Sequence, residues 1–183
     1  MKNIRRLAPI VASVPIAPVA PIALILALGV TLSAATLPVS AQAVRSEKNM
    51  SLELANQLAA ASVAACQANG HAVTATVVDR AGGVRAVHRA DNAGPHTLDA
   101  SRLKAFTAAS AKNSTLAIMD AAQKNPAAAN LVYIPGYLLL GGGVPVRVGS
   151  EVIGAVGVGG APGGQLDEQC ALAAIDKVKD LLK

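Results

Sequence analysis

The chain has 183 residues, 52% of them hydrophobic but only 2% aromatic, and a formal net charge of +5. Lys2, Arg5 and Arg6, three of the 16 basic residues, precede residue 44 with none of the 11 acidic ones, so the charge beyond that point falls from +5 to +2. With no basic cluster and almost no rings for base stacking, this composition argues against nucleic acid as a partner.

No charged side chain occurs between Arg6 and Arg45. The stretch holds an apolar core, PIALILALGVTL (residues 21–32), and ends in LPVSAQA, with small residues at Ala41 and Ala43. A basic start, an apolar middle and an Ala-x-Ala end predict a signal peptide over residues 1–43, cleaved after Ala43. An uncleaved anchor is the alternative, because the uncharged run exceeds the roughly 20 residues needed to span a bilayer. Pro9, Pro15, Pro18 and Pro21 interrupt its first half and favour removal. Translation from Met50 would instead give a cytosolic protein. The expectation is a domain over residues 44–183, periplasmic or secreted, without stable membrane insertion.

Residues 51–70 begin with Ser51, carry Glu53 in the first turn and end in Asn69-Gly70, while Leu54, Leu58, Ala61 and Ala65 share one stripe. They predict an amphipathic helix. Val73, Ala75 and Val77 then alternate with Thr74, Thr76 and Val78, and residues 79–83 carry turn chemistry. A β-hairpin follows, with strands near residues 72–79 and 84–90. Pro95 suits a first helical turn and Asp99 complements the dipole of a second helix, over about residues 97–112.

Residues 114–130 predict one or two short helical pieces before Pro135 and Gly136 force a turn. YLLLGGGVPVRVGSEVIGAVGVGG, residues 137–160, contains three apolar runs separated by glycines and predicts a three-strand meander. A last helix follows, acidic at its start (Asp167, Glu168) and lysine-bearing at its end, with Cys170, Ala174, Ile175 and Val178 on one stripe. Strands joined by tight turns must be antiparallel. The fold class is therefore α+β: a single antiparallel sheet of about five strands, covered by helices.

Chemistry-bearing residues are few. His71 follows a helix stop and reads as a surface residue; His88 shares the parity of Val84 and Ala86 and reads as a half-buried sheet residue. His96, in GPHTLDASRLKAFTAAS (residues 94–110), stands at a loop-to-helix junction, where an imidazole is either a capping or surface group or a metal ligand facing a cavity. Arg102 and Lys104, on the same helix, are either a solvated face or holders of carboxylates, the arginine bidentately. No HExxH or other zinc spacing occurs. The glycines fit neither a dinucleotide fingerprint nor a P-loop, since Pro162 stands where the third glycine would fall, and they read as turns and close backbone packing. No G-x-S-x-G is present. Cys66 and Cys170 are either two buried thiols or, if the first and last helices lie side by side on one sheet face, a disulfide.

The blocks AVTATVVDRAGGV, GPHTLDASRLKAFTAAS, NPAAANLVYIPGYLLLGGGVPVRVGSEVIGAVGVGGAPGG and DEQCA, in this order, resemble the GlcG/HbpS family, a haem-degrading-domain group related to the C-terminal domain of PduO-type proteins. The resemblance covers nearly all of residues 44–183. It implies a profilin-like or PAS-like α+β domain, a homo-oligomer, and haem or a related tetrapyrrole as ligand. On that reading His96 ligates iron, Arg102 or Lys104 holds the propionates, and Phe106 and Tyr137 supply aromatic wall. The choice of His96 comes from its chemistry, not from the family. The other functional class is a non-enzymatic oligomeric or accessory module without haem.

Overall fold

Ser51 opens the first helix as an N-cap, its hydroxyl accepting the Leu54 amide at 3.1 Å, and α1 runs over Leu52–Ala68. The chain leaves it through Gly70, whose φ of 78° is a left-handed conformation that glycine adopts without steric cost. Here the computed structural model describes residues 43–183. The expected leader, apart from its last residue, lies outside the described residues.

Strands β1 (Thr74–Asp79) and β2 (Val84–Arg89) form the expected hairpin. Asp79 shapes its turn by accepting the amides of Ala81 and Gly83, at 3.0 and 2.9 Å. Helix α2 spans Thr97–Ala111 and ends at Lys112 in a left-handed conformation. Helix α3 (Thr115–Lys124), capped by Ser114, and a 3-10 turn over Pro126–Tyr133 are the two short helical pieces. Strands β3 (Gly143–Val148) and β4 (Glu151–Gly159) make a second hairpin, and α4 (Gly164–Lys177) closes the fold. Among the described residues no helix is long and apolar enough to cross a membrane.

The four strands form one antiparallel sheet in the order β2-β1-β4-β3, so the hairpins meet at a central β1–β4 pair running from Thr74↔Gly159 to Asp79↔Gly154. The run at residues 137–140, expected as a further strand, is irregular instead. Side chains take the polar groups that a ladder would have used: the Leu138 amide donates to Thr107 Oγ1 at 2.9 Å, and Thr115 Oγ1 donates to the Leu140 carbonyl at 2.8 Å.

Helices cover both faces of the sheet. On one, α1 and α4 lie against each other and against a core that includes Leu58, Val73, Val77, Val146, Ile153, Val156 and Val158. That neighbourhood joins Cys66 to Cys170 in a disulfide, with Cα atoms 5.4 Å apart and 104 residues between them in sequence. Closing so long a loop contributes about 2–4 kcal/mol, chiefly by restricting the unfolded chain.

On the other face α2 lies alone. Its contacts are small: Val78, Ala105, Ala108, Ala109 and Ala155 form a minor cluster. Glycine lets the helix come so near. A Cβ on Gly157 would overlap the Ser101 carbonyl oxygen and sit 2.5 Å from the Ala105 nitrogen; one on Gly143 would overlap the Lys104 carbonyl oxygen.

Candidate functional site

The inner side of α2 is polar, and its polar groups are paired. Thr97 Oγ1 lies 2.6 Å from Thr74 Oγ1, and Ser101 Oγ lies 2.7 Å from Thr76 Oγ1, stitching the helix to β1. One turn further on, Lys104 is only 1% exposed. Its ammonium donates to Asp167 Oδ2 at 2.7 Å and to the Val158 carbonyl at 2.9 Å, so one side chain ties α2 to β4 and α4. Asp167 is 3% exposed, and its second oxygen accepts the Ala161 amide at 3.0 Å. Burial pushes this carboxyl above its ordinary aspartate pKa; the hydrogen bond and charge of Lys104 pull the other way and do not outweigh it.

Of the two readings of Lys104, a solvated face or a holder of a ligand's carboxylate, neither describes its place here: it is buried, and the carboxylate it holds is the protein's own. The acidic start of α4, read as a complement to the helix dipole, in fact supplies this partner across 63 residues. The signal lies in the spacing. Ser101, Lys104, Ala105 and Ala108 fall at i, i+3, i+4 and i+7, on the stripe of small residues that faces the sheet.

The outer side of α2 carries the other candidates. His96, Asp99, Leu103, Phe106 and Ser110 recur at intervals of three or four residues and lie on one stripe, with Arg102 beside it. His96 is exposed and makes no capping hydrogen bond. Its ring folds back over Gly94, where an added Cβ would sit 2.7 Å from Cε1. Arg102 is exposed, 3.9 Å from Asp99, too long for a firm ion pair.

Phe106 lies between two left-handed glycines. A Cβ on Gly82, in the β1–β2 turn, would come within 2.7 Å of its ring, and one on Gly136 within 3.1 Å. Tyr137 meets it edge-on, ring centroids 6.4 Å apart, and its hydroxyl lies 3.0 Å from Ser110 Oγ. The structure therefore places His96 and Phe106 on the outward stripe of α2 with Arg102 on the neighbouring flank, brings Tyr137 to the distal end, and turns Lys104 inward.

This outward side is open rather than enclosed. Two grooves, of about 400 and 380 Å³, are lined partly by α1, and none of the five candidate residues borders either of them. Among the described residues no cluster of three or more His, Cys, Asp or Glu side chains could hold a metal ion. An iron at His96 would have its other ligands from a macrocycle, and the exposed imidazole fits that requirement.

The chain is similar to known proteins. Protein GlcG of Escherichia coli K12 is 36% identical over 109 residues, which are 60% of this chain and 80% of that one. A crystal structure of a double mutant of HbpS from Streptomyces reticuli superposes with a TM-score of 0.70 at 36% identity, covering 80% of this chain and 98% of that one. The complex of PduOC with haem has the same fold, with a TM-score of 0.63 at 24% identity, covering 70% of this chain and 94% of that one. The family described as haem degrading protein HbpS-like matches residues 50–176, nearly the whole of the folded unit that carries the α2 face, and the chain belongs to it.

Proposed function

We propose that the protein binds haem or a related tetrapyrrole on the outward side of α2. The observation that carries this reading is the exposure of His96 and Arg102, beside the half-buried Phe106, on a helix whose inner side is locked to the sheet and to Asp167. The imidazole of His96 is the ligand for iron, Arg102 takes a carboxylate, and Phe106 with Tyr137 offers an apolar edge. Haem iron, when bound, supplies the redox chemistry that degradation requires. Membership of the HbpS-like family supports both binding and degradation as the activity to test.

The chain's own part is to present these groups and to hold them still. Because the face is open, a second copy of the chain is the natural cover for a flat ligand, which makes a homo-oligomer part of the proposal. The Cys66–Cys170 disulfide supports a site of action outside the cytoplasm, periplasmic or secreted, where such bonds persist.

Titration of the protein with haem should give a Soret band that His96→Ala shifts or weakens. An unchanged spectrum in that variant would remove His96 from the site. The openness of the face favours a second reading, a non-enzymatic accessory module. Haem, cobalamin and flavin would then all fail to raise the melting temperature, because a ligand that binds only the folded state must stabilise it.

A further inference from the structure

Part of the sheet beneath α2 is left bare. In the β1–β2 ladder Val87 pairs with Thr76 and Arg89 with Thr74, and directly paired residues share a face. Thr74 and Thr76 are the residues that bond to α2, so Val87 and Arg89 stand on the α2 side. The helix packs extensively on β1, β3 and β4 but not on β2, which is also an edge strand. Val87 is accordingly 44% exposed.

The flank of α2 that overhangs this strip follows from helical rotation. Leu98 and Arg102 each come one residue, about 100° of turn, after a residue bonded to β1, whereas Lys104 points off the opposite flank toward β4 and α4. Leu98 is 43% exposed. Phe106 over Gly82 closes one end of the strip. Arg89, donating to the Ala93 carbonyl, marks the other.

Two guanidinium groups, of Arg89 and Arg102, thus flank an apolar seat formed by Val87 and Leu98, and the carboxylate of Asp99 stands 3.9 Å from Arg102. We infer that this shelf selects tetrapyrroles carrying free carboxylates over those whose side chains are amides or esters, with Arg89 and Arg102 as the specificity-determining residues. The inference rests on the tetrapyrrole reading for the flat apolar body of the ligand. The discrimination follows from charge: guanidinium–carboxylate hydrogen bonds are about twice as strong as neutral ones, and an amide-capped corrinoid or an esterified porphyrin offers no anion.

The test compares haem, haem dimethyl ester and dicyanocobinamide on the full protein by absorbance titration. Haem should bind tighter than the other two by about tenfold to a hundredfold, the range of one or two charged hydrogen bonds. Arg89→Gln/Arg102→Gln should abolish that preference by lowering haem affinity to that of the ester, and Val87→Glu should weaken haem and ester alike. Equal affinity of the wild-type protein for haem and its ester would overturn the shelf. So would haem binding that depends on His96 but not on the arginine pair, and in both cases the tetrapyrrole reading would survive. If no tetrapyrrole binds, that reading fails, and anilinonaphthalene sulfonate becomes the probe. Arginine-dependent fluorescence would then support the shelf as a site for anionic amphiphiles, and its absence would overturn the shelf as well.

Discussion

The two faces of the sheet are held by different means. Under α1 and α4 the contacts are aliphatic, mostly valine on the sheet and alanine and leucine on the helices, and non-directional, and a disulfide joins the two helices. Under α2 they are hydroxyl pairs, glycine backbone and one buried ion pair, each of which works in a single geometry. The first arrangement supplies most of the apolar burial. The second fixes the position of a helix, and with it the orientation of the outward residues proposed to meet a ligand. Bulk of stability and precision of placement therefore reside on opposite sides of one sheet.

The comparison is broken most forcefully at Lys104. Lys104→Met leaves Asp167 buried without its partner and should destabilise the protein by about 3–5 kcal/mol in urea unfolding, whereas Lys104→Met/Asp167→Leu should regain most of that loss. Equal losses in the single and double variants would mean that packing, not charge, sets the α2 face. Next in size is the crosslink on the opposite face. Cys66→Ala/Cys170→Ala should lower stability by about 2–4 kcal/mol while leaving ligand titrations of the folded protein unaltered. A variant that is stable but no longer binds would show that the two faces are not separable.

Gly157→Ala forces the helix off the sheet and should cost about 1–3 kcal/mol, with the α2 amides losing hydrogen-exchange protection before those of α1. Uniform loss of protection across both helices would contradict the separate roles. The smallest effect is in pH dependence. Folded Asp167 holds its proton more tightly than the unfolded chain does, so its contribution to stability falls as pH rises from the ordinary aspartate value to the raised one, then levels off. Subtracting the profile of Asp167→Asn isolates this slope, and a difference of opposite sign would show that Lys104 dominates the site.

Much of this architecture is legible in local pattern. The Ser51 cap, the alternation in residues 73–78 and the Asp79–Gly83 turn fix α1 and the first hairpin because their physics is short-range. Of the glycines read as turns and close backbone packing, Gly154, Gly157 and Gly160 lie against neighbouring backbone. What local pattern does not show is partnership at a distance. Lys104 looks like a surface cation until α4 brings Asp167 to it, and residues 137–140 look like a strand until Thr107 and Thr115 take their polar groups. The bare strip over β2 is likewise invisible in sequence, because it depends on which strands a single helix leaves uncovered. The residues of the outward face were all in view, but not their shared direction.

The bond between Cys66 and Cys170 makes a covalent ring of all the chain between them, including the exposed turn that carries Val132 and Tyr133. A protease that cuts once within that ring opens it without releasing a fragment, and both hairpins stay on the same molecule. After one cut, reduction of the disulfide would part them, so in an oxidising space a single nick leaves one covalent species.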